Sequence, residues 1–178
     1  MTKNLAVTQT ATAEAAKAEL AKKGLYLPPK PRYQGAEDGP PRISVRVSDL
    51  SDDELMALFV ACTRWTDYLG GEVAVAEVDL RAYEAVLAKA QNTALLRDWA
   101  TADKDAKVTI AKAERANDPT VMEWQEKVDT QYAMVKLLRP IYEACERDAQ
   151  MLSRELSRRL GRADIERRAD SGAKGRPR

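Results

Sequence analysis

The chain has no histidine, one phenylalanine and two cysteines in 178 residues. Without histidine, imidazole acid–base catalysis and His metal sites are excluded. Cys62 and Cys145 both fall on apolar helical faces. They read as reduced core thiols of a cytoplasmic protein rather than as a disulfide. No apolar run approaches the roughly 18 residues of a membrane span, and the N-terminus lacks the apolar stretch of a signal peptide. There is no phosphate-cradling glycine loop, no glycine-rich dinucleotide turn and no metal-ligand spacing. Acidic pairs occur, but Asp52-Asp53-Glu54 reads as helix capping. These absences predict a non-enzymatic protein with no cofactor and no metal, which acts by binding or assembly.

A large net charge is also missing, since 29 basic groups face 28 acidic ones. The balance hides an uneven distribution. Residues 1–48 carry 8 basic and 4 acidic groups, residues 49–153 carry 12 and 20, and residues 154–178 carry 9 and 4. An acidic body between basic ends suits contact with nucleic acid or an acidic partner, and also suits plain solubility.

What is abundant is helix-forming sequence. From Asp118 the spacing predicts one helix of about forty residues, reaching Leu160. Asp118 is a good N-cap, Pro119 suits the first helical position, and Gly161 is read as the stop. Apolar residues recur at Val121, Trp124, Val128, Tyr132, Val135, Leu138, Tyr142, Cys145, Ala149, Leu152 and Leu156. The average step is about 3.5, which is a coiled-coil seam. Such a stripe needs a partner helix of similar length or other copies of the chain. Val128, Val135, Leu138, Tyr142, Leu152 and Leu156 are the candidate oligomerisation residues. Pro140 removes the bond to the Lys136 carbonyl and is expected to kink the helix.

Upstream, Ala13–Lys23 has high helix propensity and is stopped by Gly24. Residues 25–41 hold five of the eight prolines, a stiff extended linker that could also dock on a proline-reading domain. Ile43, Val45 and Val47 alternate with polar residues, as in one short strand. Ser51 and Glu54 form a capping box that opens a helix over 51–69. Gly70-Gly71 interrupts it as a hinge, kink or reversal, and a second seam runs over 72–99. Residues 100–105 are a polar connection, and residues 106–116 form a thin basic helix. The predicted fold is all-α. Long antiparallel helices pack like a coiled coil, with 72–99 against 119–160 and 51–69 beside them. The chain divides into a flexible N-terminal region over 1–48, a helical body over 49–161 and a disordered basic tail over 162–178.

The basic residues that stand out are Lys89, Arg97, Lys104, Lys107, Lys112 and Arg115. If helical, the pairs three apart share a face and can neutralise phosphates, with Trp99 as a stacking platform for a base. The alternative is a solvated face paired with Asp103, Asp105 and Glu114. Arg154, Arg158 and Arg159 form a similar cluster, and they also complement the helix dipole.

Three segments carry a resemblance. They are Arg64-Trp65, the run Ala85-Val86-Leu87-Ala88-Lys89-Ala90, and Lys127-Val128-Asp129-Thr130 followed by Tyr132, Leu137-Leu138 and Cys145. In order and approximate spacing, residues 60–155 resemble the UvsY family of phage recombination mediators. The resemblance implies a helical, ring-forming homo-oligomer that binds single-stranded DNA. Such a protein helps load a RecA-like recombinase onto strands covered by single-strand binding protein, in the cytoplasm of a phage-infected bacterium. Lys89 matches a basic position of the family's DNA-binding segment, while Gln91 stands where that segment has a second basic residue. The rival expectations are a phage structural or scaffold-like assembly protein and a helical regulator that binds a protein partner.

Overall fold

A computed structural model describes residues 12–32, 39–41, 43, 46–101 and 117–173, without the side chains of 98–101 and 169–173. It is all-α: α1 is Ala13–Lys22, α2 is Asp52–Thr101 and α3 is Pro119–Ala173. Among the described residues there is no strand. Ile43 and Val47 bury their side chains against Leu55, Cys62 and Leu152 instead, and Val47 opens a short 3-10 turn, Val47–Asp49. With no second strand to pair with, helical neighbours offer these side chains the better burial. Val45 lies outside the described residues, as does the thin helix expected over 106–116.

Two expected breaks are absent. α2 runs unbroken through Gly70-Gly71, so 51–69 and 72–99 are one helix rather than two. A glycine inside a helix costs about 1 kcal/mol relative to alanine, which packing on both sides outweighs. Gly70 marks a close approach instead. A Cβ placed there would lie 3.3 Å from Cε2 of Tyr142. Gly161 likewise fails to stop α3, which continues to Ala173. The sequence Arg162–Arg168 is rich in good helix formers, and Arg167 pairs with Asp164 one turn back at 2.7 Å. The expected tail therefore begins as helix, although residues 161–168 are all exposed. Pro140 also lies within the continuous α3.

The described chain forms two compact units, Met1–Leu27 with Gly71–Arg139, and Pro28–Gly70 with Pro140–Arg178. In the first, Leu87, Ala94 and Val121 are buried, with Ala90, Trp124 and Val128 packed around them. Tyr83 and Trp124 stack at a tilt, their centroids 6.1 Å apart. Gln131 donates to the Ala76 carbonyl at 3.1 Å, and Arg139 pairs with Glu77. Positions rise along α2 as they fall along α3, so the pairing is antiparallel. α1 joins this unit through its start, where the buried Ala13 donates its N–H to Asp79 Oδ1 at 2.9 Å. Its end is a Schellman turn. Gly24 has a φ of 74°, its N–H reaches the Ala21 carbonyl, and that of Leu25 reaches Leu20.

The second unit packs the start of α2 on the later part of α3, again antiparallel. Leu55 and Leu152 have no exposed surface, and Cys62 joins them. Further along, Trp65, Leu69 and Cys145 form a second buried cluster with Tyr68 and Tyr142. The capping box at the start of α2 forms as expected. Ser51 N and Oγ both donate to Glu54 Oε2, at 2.8 and 2.7 Å, and Glu54 N donates back to Ser51 Oγ at 3.3 Å.

The inward row of α3 departs from the expected one at a single place. Gln131 faces α2, and Tyr132 is 52% exposed with Lys136 over its ring. A regular alternation of three and four from Val121 through Val128 and Val135 selects Gln131. Hydrophobicity alone favours Tyr132, and phase favours Gln131. Continued regularly, the same alternation ends at Arg159.

Candidate functional site

Two of the six expected DNA-binding residues fall among those described. Lys89 is exposed on α2. Within the run Ala85–Ala90, Leu87 is buried and Ala90 half-buried, while Ala85, Ala88 and Lys89 face outward. Arg97 lies two helical turns on, its side chain 62% exposed, with Nη2 2.9 Å from Asp118 Oδ2. Asp118 is the N-cap of α3 and accepts from the N–H groups of Thr120 and Val121 at 2.9 and 3.3 Å. Burial pushes the Asp118 carboxyl up. Arg97 and the two backbone N–H groups outweigh it, so the carboxyl is held below its ordinary value. Arg97 therefore has a structural task at this end of the helix pair. Lys104, Lys107, Lys112 and Arg115 lie outside the described residues, as does the Trp99 side chain.

The six expected oligomerisation residues sit on α3 with at least partial burial inside the single chain. Val135 and Leu152 are buried, and Val128, Leu138, Tyr142 and Leu156 are half-buried. Val128, Tyr142, Leu152 and Leu156 belong to clusters shared with α2. A stripe of this length finds its partner helix within the same chain. The apolar side chains left outward on the first unit's part of α3 include Met134 and Leu137, 50% and 69% exposed.

The arginine cluster divides by role. Arg159 is drawn inward, where Nη1 donates to Asp52 Oδ1 at 2.7 Å, Nε to Glu155 Oε1 at 3.0 Å, and Nη2 to the Val47 and Ser48 carbonyls at 3.2 Å. Arg158 Nε donates to Glu155 Oε2 at 2.7 Å. The two guanidinium groups, Arg158 foremost, hold the Glu155 carboxyl down to about 2. Arg154 is exposed. The charge pattern alone could not separate the inward arginine from its neighbours. The heptad phase would have done so.

A groove on the second unit was not legible in the sequence. It has a volume of about 430 Å³ and is walled by Pro31 of the extended segment and by Met56, Val60 and Trp65 of α2. Arg32, Asp53 and Arg64 also line it. Lys30 lies 5.9 Å from the centroid of the Trp65 ring, within cation–π range. Trp65 is 4% exposed, and its Nε1–H has no hydrogen-bond acceptor. Buried indole N–H groups ordinarily find a partner. Cys62 and Cys145 are both free and buried. Burial pushes the Cys62 thiol up to about 11 and raises that of Cys145.

Among the described residues no helix is long and apolar enough to cross a membrane. Comparison with family models, with curated proteins and with solved structures found no match to this chain.

Proposed function

We propose that this chain is a non-enzymatic, homo-oligomeric protein that binds single-stranded DNA. Its role would be that of a recombination mediator, helping to load a RecA-like recombinase onto strands covered by single-strand binding protein. One observation carries the reading. Lys89 stands outward at the head of a basic stretch that continues in sequence through Arg97, Lys104, Lys107, Lys112 and Arg115. The segment that resembles the UvsY family's DNA-binding run anchors itself through Leu87 and leaves Lys89 toward solvent. That orientation supports a phosphate contact, because a flexible ammonium on an exposed helical face reaches a backbone without disturbing the packing. Because the inward stripe of α3 is covered within the chain, copies would meet through outward residues such as Met134 and Leu137. Those exposed apolar side chains also favour a second reading, a phage structural protein that uses its helices for assembly alone.

The test is a fluorescence-anisotropy titration with labelled single-stranded DNA across salt concentrations. Each neutralised phosphate adds about 0.7 to the slope of log affinity against log salt. Changing Lys89, Lys107 and Lys112 together to Ala is expected to flatten the slope by about two. It should leave helix content and assembly intact. An unchanged slope places the contacts elsewhere, and no affinity at low salt leaves the assembly reading in its place.

A further inference from the structure

We infer that the groove between Pro31-Arg32 and the start of α2 binds a short acidic peptide carrying an apolar side chain. The inference stands apart from the DNA-binding reading and uses none of its residues. The groove has the size and lining of a ligand site, mostly apolar with a few polar groups. Met56 and Val60 are 49% and 39% exposed along it, so an apolar surface faces water there. Methionine suits such a surface, because its unbranched side chain adapts to the shape that enters.

The polar groups identify the ligand. The Trp65 ring forms part of the wall, so its indole resonance reports on what enters the groove. Arg32 and Arg64 have no ion pair among the described residues, and they call for a carboxylate, which a guanidinium grips with two parallel bonds. Asp53 lines the same groove and calls for an N–H donor. A peptide supplies both from one short stretch: its own amide and an Asp or Glu side chain. A leucine or phenylalanine beside them would cover Met56 and Val60. Nucleic acid fits less well, since its phosphates would meet the Asp53 carboxylate and it brings no aliphatic group for the groove. The Lys30 ammonium beside the Trp65 ring adds to the positive field that favours an acidic chain.

The experiment uses the full chain and an acetylated peptide amide of sequence Asp-Glu-Phe-Leu-Glu. The three tryptophan indole N–H resonances are followed by nuclear magnetic resonance, with Trp65 assigned from a Trp65→Phe variant. Binding is measured in parallel by anisotropy of the fluorescein-labelled peptide. The expected result is a shift of the Trp65 indole proton, as the wall of the groove is covered, that saturates with peptide. Arg64→Glu and Val60→Arg, both at solvent-accessible positions, are each expected to weaken binding at least ten-fold while leaving helix content unchanged. A peptide with serine in place of phenylalanine and leucine should bind as weakly. An indole resonance that stays fixed at millimolar peptide overturns the inference. So does equal binding of the serine peptide, or a larger shift with an oligothymidylate of matched charge. Because Lys89 is untouched, loss of peptide binding in Val60→Arg with an unchanged DNA salt slope separates this site from the proposed DNA surface.

Discussion

Leu152 is the most exacting place to test the packing. It has no exposed surface, and Leu55 of α2 and Cys62 close over it together with Val47, Leu50 and Leu156. Leu152→Ala removes the equivalent of three methylene groups, about 2.4 kcal/mol of transfer free energy at about 0.8 each. A cavity term adds to this, because neighbours from two helices and from the segment before α2 cannot all collapse into one gap. The expected loss is about 3–4 kcal/mol, a large share of the 5–15 kcal/mol that holds a typical domain together. Urea titration followed by far-ultraviolet circular dichroism measures it. Leu160→Ala is the control: that side chain is 65% exposed, and its loss should stay within about 0.5 kcal/mol. The same Leu152→Ala protein should keep its parent's mass by sedimentation, because every neighbour named is in the same chain. A cost below about 1 kcal/mol, or lost assembly with unchanged unfolding, would refute the assignment of this stripe to an intramolecular seam.

Two further outcomes follow from particular side chains. Gly70→Ala is expected to be nearly neutral, because about 1 kcal/mol of helix propensity is offset where the new Cβ meets the Tyr142 ring at 3.3 Å. In a Tyr142→Ala background the same change should stabilise by about 1 kcal/mol, and a thermal double-mutant cycle without coupling would contradict the close approach. Glu155 is held down to about 2 from an ordinary 4.5. Its contribution to stability is therefore complete above pH 4.5 and is lost as pH falls toward about 2. Glu155→Gln should flatten the dependence of stability on pH within that window, and parallel curves for parent and variant would show that the pairing does not matter.

The helical class, the capping box at Ser51 and Glu54, the cap at Asp118 and the stop at Gly24 were all legible, because each rests on local chemistry. Gly70 and Gly161 were misleading for the complementary reason. A glycine inside a helix signals an end only where the backbone turns left-handed, and among the described residues only Gly24 has a positive φ. Whether packing overrides the small propensity cost depends on a distant partner, here Tyr142, which no local window contains. The inward row of α3 was readable except at Gln131, where a polar residue holds a seam position by bonding to a carbonyl of α2. Arg159 was hidden in the same way, since a basic residue near a helix end looks alike whether it faces solvent or the Val47 and Ser48 carbonyls. The groove depends on how Pro31 and Arg32 lie against α2, which composition does not encode.

The antiparallel pairing also sets the entropy of closing the chain. Arg97 and Asp118 stand 21 positions apart in sequence, Ala76 and Gln131 stand 55 apart, and Asp52 and Arg159 stand 107 apart. Loop-closure entropy grows with the logarithm of that separation, so the contact at Arg159 costs about 1.5 kcal/mol more to form from an open chain than the contact at Arg97. Within the first unit, the contact at Arg97 and Asp118 is thus less costly to close than the one at Ala76 and Gln131.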